Sequence, residues 1–147
     1  MTETSFGTDL KNKLLEGVQK LNNSVASTLG PAGRTVLIKD DTGEIKITKD
    51  GVTVARAFKE LEDQTESIGA ELAKKVSTKC ANEVGDGTTT STVLATAILE
   101  EGIRQINEGS NPVNIKKGID EAVSTVVNRL KEMSTDITDD SQIKEIA

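Results

Sequence analysis

The chain has 147 residues, and its 24 acidic and 18 basic residues give a formal net charge of −6, which disfavours a nucleic-acid partner. It contains no histidine, which excludes catalytic triads and zinc sites built on histidine, and its single cysteine can form no intrachain disulfide, as is usual in a reducing compartment. No apolar run approaches the ~20 residues of a membrane span, and the N-terminus lacks the basic flank and apolar core of a signal peptide, so we expect a cytoplasmic protein with no membrane partner.

The first half of the chain predicts a long helix followed by a β-hairpin. Apolar residues recur at three- and four-residue steps over about Thr8–Leu29, and Gly30-Pro31 is a typical helix stop. Two alternating segments, Thr35–Lys39 and Glu44–Thr48, flank a turn sequence and predict the strands of the hairpin. The segment Val52–Phe58 is ambiguous, with a short helix favoured.

The second half of the chain predicts three more long helices. The second covers about Glu62–Val84 and the third about Thr88–Glu108, and the fourth begins at Asn111-Pro112, which suits an N-cap and a first turn. Cys80 shares an apolar face of the second helix, so we interpret it as a core residue rather than a nucleophile. The nearly continuous apolar run Val93–Leu99 predicts that the third helix is buried.

The C-terminal residues predict a linker and the start of another element. Thr135–Asp140 is polar and acidic, whereas Ser141–Ala147 has a pattern typical of a further regular element. Together with the preceding segments, this pattern predicts a mainly α fold, a bundle of long helices with one small β-hairpin.

The segment Gly85–Thr90 is the strongest candidate for a binding site. Its glycines let a ligand approach the backbone, Asp86 offers an oxygen ligand to a divalent cation, and three threonines begin the next helix. A helix N-terminus carries unpaired N–H groups and a positive dipole end, so it can bind phosphate. An Asp-Gly turn with one capping threonine explains the hexapeptide alone equally well, but two surplus threonines lower helix propensity and favour a phosphate site.

Two further glycine-containing segments interrupt the regular elements. Thr28–Arg34 follows the first helix, and Lys49-Asp50-Gly51 follows the second strand. Taken alone, an ordinary helix stop explains the first equally well, and a turn at a strand end is the favoured explanation of the second. Together with Gly85–Thr90 they supply a lysine, two carboxylates and a helix N-terminus, which phosphoryl transfer requires. The sequence contains neither a Walker-type phosphate loop nor a Rossmann glycine motif.

Five segments resemble the N-terminal region of bacterial GroEL-type chaperonins and occur in the same order. They are TLGPAGR, ITKDGVTVAR, ELED, GDGTTTSTVLA and NPVNIKKGID. The resemblance extends from about Phe6 to the end of the chain. It implies the N-terminal part of an equatorial ATP-binding domain over residues 1–134 and the start of an intermediate domain over residues 135–147.

The resemblance also implies roles for individual residues in a nucleotide site. Asp50 would be catalytic and would position the attacking water, Lys49 would approach the phosphates, and Asp86 would be the metal ligand for Mg²⁺. The remaining nucleotide-binding residues would line the pocket or hold the phosphates: Thr28, Leu29, Gly30, Pro31, Gly87, Thr88, Thr89 and Thr90.

The function implied by the resemblance is that of an ATP-dependent chaperonin, which folds client polypeptides in a homo-oligomeric ring with ATP and Mg²⁺ as cofactors. The family's apical domain, which binds unfolded clients and a lid co-chaperonin, and its main catalytic carboxylate lie outside the resembling stretch. We therefore expect client, lid and ring partners only if those regions are supplied, and near-background ATP hydrolysis by this chain alone. The alternatives are a nucleotide-binding or ring-interaction module without folding activity, and a non-functional gene fragment.

Overall fold

The computed structural model describes residues 7–137 and 139–146, which form six helices and a two-stranded sheet. Residues 1–6, Thr138 in the predicted linker and Ala147 at the end of the last predicted element lie outside the described residues. The predicted mainly α fold with one small hairpin is confirmed. In chain order the elements are α1 (Gly7–Ala26), β1 (Val36–Lys39), β2 (Ile45–Thr48), α2 (Gly51–Ala57), α3 (Gln64–Glu83), α4 (Thr88–Asn107), α5 (Pro112–Met133) and α6 (Asp140–Ile146).

The chain divides into two compact units, one ending at Glu108 and the other beginning at Gly109. The first contains α1 to α4 and the hairpin, and the second contains α5 and α6. Pro112–Met133 is amphipathic, and none of its residues is buried. A domain boundary after residue 134 rests on the resemblance alone and stays a prediction. No helix in the described ranges is both long enough and apolar enough to cross a membrane.

The core of the first unit lies where α1 meets α2 and α3. The buried side chains on α1 are aliphatic, whereas those on α3 are small, so the helices pack closely. Phe58 and Leu61 cover the edge of this cluster. The buried members of the cluster are Val18, Leu21, Val25, Val54, Ala55, Ala70 and Ala73.

Two glycines allow the backbones of α1 and α3 to touch. A Cβ atom on Gly17 would lie 1.8 Å from the carbonyl oxygen of Glu66, and one on Gly69 would lie 2.0 Å from the carbonyl oxygen of Leu14. Because real Cβ atoms do not approach backbone atoms so closely, only glycine fits at either position without a shift of a helix.

The hairpin brings the chain back close to the C-terminal end of α1. Its strands pair antiparallel, with Val36 opposite Thr48 and Lys39 opposite Ile45. In the turn, Asp40 Oδ1 accepts hydrogen bonds from the backbone N–H groups of Thr42 and Glu44, both at 2.9 Å. The segment that follows β2 therefore starts near the loop that follows α1.

The predicted end of the first helix is wrong by three residues. The helix ends at Ala26 rather than Leu29, because the N–H groups of Thr28 and Leu29 bond three residues back, to the carbonyls of Val25 and Ala26. Leu29 is 46% exposed and does not join the core. The sequence predicted a longer helix because Leu29 is apolar and lies four residues after Val25, which fits the helical spacing.

The predicted buried faces of the next two helices are also wrong in part. Gly69, Ala70, Ala73 and Ser77 face the core on α3, whereas Cys80 is only half-buried. On α4 the buried residues are Thr92, Thr96 and Ile103, and much of the Val93–Leu99 run is exposed. Close packing selects the small residues for the interior, and the buried threonine hydroxyls donate to carbonyls one turn back, which satisfies them.

Candidate functional site

The three loops singled out in the sequence meet at one cavity of about 270 Å³ in the first unit. Pro31 is the one predicted site residue that does not line it, and Gly51 lines it in addition to the predicted set. The lining residues are Thr28, Leu29, Gly30, Lys49, Asp50, Gly51, Asp86, Gly87, Thr88, Thr89 and Thr90.

The loop after α1 is held in place by its own backbone. The hydroxyl of Thr28 donates to the carbonyl of Val25 at 2.8 Å, which buries this side chain against the helix end. The N–H of Gly33 donates to the carbonyl of Gly30 at 2.9 Å, and the N–H of Arg34 donates to Ser27 at 2.7 Å. These bonds close the loop and fix Gly30 at the cavity wall.

Asp50 caps the N-terminus of α2, and this role fixes its carboxylate at the cavity. The carboxylate accepts hydrogen bonds from the N–H groups of Val52 at 3.3 Å and Thr53 at 3.0 Å, and from the Thr53 hydroxyl. The Thr53 hydroxyl is the largest cause of a lowered Asp50 pKa, the two N–H groups add to it, and Arg56 contributes by its charge. Asp50 is therefore ionised at neutral pH and can orient a water molecule by accepting its hydrogen bond.

Two glycines in the left-handed region bring the chain from α3 into α4. Gly85 has a φ of 82° and Gly87 a φ of 73°, a conformation that other residues adopt at a cost. Between them, Asp86 accepts the N–H of Gly87 at 2.6 Å through its Oδ1. The thiol of Cys80 donates to the carbonyl oxygen of Asp86 at 3.1 Å, so this cysteine contacts the loop between α3 and α4, a position that its apolar spacing did not indicate.

The N-terminus of α4 differs from those of the other long helices with defined caps. Side chains of Asp63 and Asn111 accept N–H groups at the starts of α3 and α5, whereas α4 follows Gly87 and has no side-chain cap. The first residues of α4, Thr88–Thr90, all line the cavity. An anionic ligand in the cavity can therefore take the place that a capping side chain occupies in the other helices.

The acidic residues at the cavity fit Mg²⁺ bound together with a phosphate. Over residues 7–137 and 139–146, no group of three or more histidine, cysteine or acidic side chains is placed to hold a metal ion. Asp50 and Asp86 both line the cavity beside Lys49. Mg²⁺ is usually held by one or two carboxylates and by the phosphates of its ligand, so this pair suits it better than a metal held by protein alone.

Two larger cavities in the first unit lack this combination of groups. One of about 830 Å³ lies beside the hairpin and α2, and one of about 470 Å³ lies among α1, α3 and α4. The second is lined mainly by aliphatic side chains, among them Leu14, Leu72 and Ile103. Neither is lined by a glycine loop or by the start of a long helix. The chemistry of the lining, rather than the volume, thus identifies the candidate site.

A comparison with protein families agrees with the motifs in the sequence. The family model of the TCP-1/cpn60 chaperonin family matches residues 21–147. This range covers most of the chain and includes every residue that lines the 270 Å³ cavity.

Proposed function

Because the chain belongs to the TCP-1/cpn60 chaperonin family and thus has a chaperonin-type role, we propose that its cavity binds ATP or ADP with Mg²⁺ in support of protein folding. One observation carries this proposal. Lys49, Asp50, Asp86 and the uncapped start of α4 all line the same cavity. These are the groups with which proteins neutralise and position nucleotide phosphates.

Each group has a part in the proposed binding. The N–H groups and hydroxyls of Thr88–Thr90 donate to phosphate oxygens, and Lys49 neutralises their charge. Asp86 would hold the Mg²⁺ ion, which supplies additional charge neutralisation when bound. Asp50 accepts a hydrogen bond from a water near the terminal phosphate. Its lowered pKa suits this orienting role better than the removal of a proton in the ground state.

The remaining steps of a chaperonin cycle are proposed for the chain together with the family's further regions. These steps are the capture of unfolded client polypeptides, the binding of a lid co-chaperonin and assembly into a homo-oligomeric ring. A cytoplasmic location is part of the same proposal. Nucleotide binding is the step that the described residues support most directly.

Isothermal titration and thermal melting test the proposed binding. Circular dichroism first establishes that the chain is folded, and Mg-ADP or Mg-ATP is then titrated to millimolar concentration. At ten times the dissociation constant, binding adds about 1.4 kcal/mol to the free energy of unfolding, which raises the melting temperature by several degrees. If the folded chain gives no heat of binding and its melting temperature does not rise, the proposal is wrong.

A lysine pair provides the matched control for this experiment. Lys49→Ala removes the amine at the cavity and is expected to weaken Mg-ADP binding about tenfold. Lys39→Ala removes the amine of another exposed lysine, which lies in β1 outside the cavity lining, and is expected to leave binding unchanged. Equal losses in the two variants would indicate non-specific charge attraction instead of the proposed site.

A further inference from the structure

Gly51 lines the cavity, yet its backbone does not require glycine. It is the first residue of α2, it is buried, and it does not have a positive φ. Glycine has a low helix propensity, and the backbone at Gly51 needs no positive φ, so backbone conformation does not explain a glycine here. The reason for glycine at this position must be space.

The space beside Gly51 is occupied by Thr89. A Cβ atom on Gly51 would lie 2.0 Å from Oγ1 of Thr89, which is far inside any non-bonded contact. The same atom would lie 3.2 Å from Cβ of Thr89 and 3.3 Å from a methyl group of Val25, both only slightly tight. The conflict is thus almost entirely with the Thr89 hydroxyl, and both partners line the cavity.

We propose that Gly51 is a positioning residue that sets the place of the Thr89 hydroxyl in the phosphate site. The absence of a side chain lets the starts of α2 and α4 approach each other and leaves room for this hydroxyl at the cavity wall. A methyl group there would make Thr89 rotate about its Cα–Cβ bond or push the start of α4 away from Asp50. Either change displaces a phosphate donor, so this inference rests on the proposed nucleotide binding.

Gly51 acts differently from Gly30 and Gly87, which also line the cavity. A Cβ atom added at either of those would meet nothing within 4 Å, and both have a positive φ. Substitution there strains the backbone, whereas substitution of Gly51 acts through one neighbouring side chain. This difference makes the role of Gly51 separable by a double-mutant cycle.

The cycle comprises Gly51→Ala, Thr89→Ala and the double variant, each titrated with Mg-ADP. We expect Gly51→Ala and Thr89→Ala each to weaken binding about tenfold, the range of a lost hydrogen bond to a charged group. The double variant should bind like Thr89→Ala alone, because the added methyl acts only through the hydroxyl. Gly118→Ala, at an exposed helix position with nothing within 4 Å, should bind like the wild type.

The ³¹P resonance of the β-phosphate of bound ADP gives a readout that general destabilisation does not move. We expect it to shift in Gly51→Ala and to coincide in the double variant with its position in Thr89→Ala. If Gly51→Ala does not fold but the double variant does, the conflict lies at the Thr89 hydroxyl, as proposed. If neither folds, or if the two losses add, Gly51 does not act through Thr89.

The outcomes also separate this inference from the proposed function. A wild-type chain that binds no Mg-ADP overturns the nucleotide site and the role of Gly51 together. A wild type that binds and a Gly51→Ala variant that binds equally well overturn the positioning role alone.

Discussion

The contact between α1 and α3 and the loop that leads from α3 into α4 at the cavity use glycine in opposite ways. Gly17 and Gly69 leave no space, because an added Cβ atom would lie within 2.0 Å of a carbonyl oxygen of the other helix. Gly85 and Gly87 face open space and are needed for their positive φ. The first pair lets two helices close together, and the second shapes a loop that stays open to a ligand.

The starts of α3 and α4 also differ in whether protein side chains satisfy their polar groups. At the start of α3, Asp63 caps the helix and pairs with Lys13 of α1 at 2.7 Å, so protein groups satisfy one another. At the start of α4, no side chain caps the helix. Interactions within the chain therefore stabilise the α1–α3 contact, whereas no side chain caps the N–H groups at the start of α4.

Gly69→Ala is expected to have the largest effect on stability. Its methyl group would meet the backbone of Leu14, so the helices must separate, and we expect a loss of about 3 kcal/mol or more. The measurement is thermal or urea unfolding followed by circular dichroism. A variant that unfolds at the wild-type midpoint would contradict the close contact between the two backbones.

Asp86→Ala is expected to affect binding and leave the fold intact. Asp86 is exposed in the loop, so we expect a nearly unchanged melting temperature without ligand. Mg-ADP affinity should fall about tenfold or more, and the remaining affinity should no longer respond to removal of Mg²⁺ by EDTA. Titrations of both proteins with and without Mg²⁺ check this, and a variant that keeps its Mg²⁺ dependence would place the ion elsewhere.

Asp63→Asn is expected to reduce the dependence of stability on acid pH. The hydrogen bond from Lys13 is the first cause of a lowered Asp63 pKa in the folded chain, and backbone N–H groups add to it. Stability from this pairing is therefore fully present above the unfolded pKa of about 3.9 and is lost as the pH falls through the lower folded pKa. Asparagine keeps the helix cap but cannot ionise.

Melting temperatures at pH 7 and pH 2.5 measure this effect. Asp63→Asn should melt below the wild type at neutral pH and close to the wild type in acid. Lys13→Gln should likewise melt below the wild type at pH 7 and close to it at pH 2.5. A constant gap between wild type and variant at both pH values would show that the ion pair does not contribute through ionisation.

Gly118→Ala is expected to have the smallest effect on stability. This glycine neither lies in a tight helix contact nor has a positive φ. It lies in α5, it has nothing within 4 Å of an added Cβ atom, and its φ is not positive. We expect α5 to gain about 0.5–1 kcal/mol in helix stability, seen as slower amide hydrogen exchange. Faster exchange would mean that Gly118 has a packing role.

Local sequence signals predicted the elements and most of the cavity lining. Capping residues, turn glycines and apolar spacing indicated α1 to α5 and both strands, and a further regular element of unspecified type where α6 lies, because these signals act within a few residues of the chain. The close packing of α1 on α3 was not predicted, since it depends on which helices meet. The same reason explains why Cys80 was assigned to the core and why the exposed part of α4 was expected to be buried.

The cavity shows the same limit of local inference. The three glycine-containing segments contain all eleven lining residues, and the family resemblance implies a role for ten of them. Gly51 was regarded only as a turn residue after β2, because its importance comes from Thr89, which is distant along the chain. A contact between two loops becomes visible only when the fold brings them together.

Amide chemical shifts in ¹H–¹⁵N spectra, recorded during titration with Mg-ADP, test the proposed site most directly. We expect saturable shifts of the Gly87–Thr90 and Lys49–Gly51 amides, with those of Gly17 and Gly69 nearly unchanged. Such shifts would place binding at the cavity beside the start of α4 and not at the contact between α1 and α3. Unshifted loop amides at millimolar Mg-ADP, or shifts confined to the apolar cavity among α1, α3 and α4, would contradict the nucleotide site.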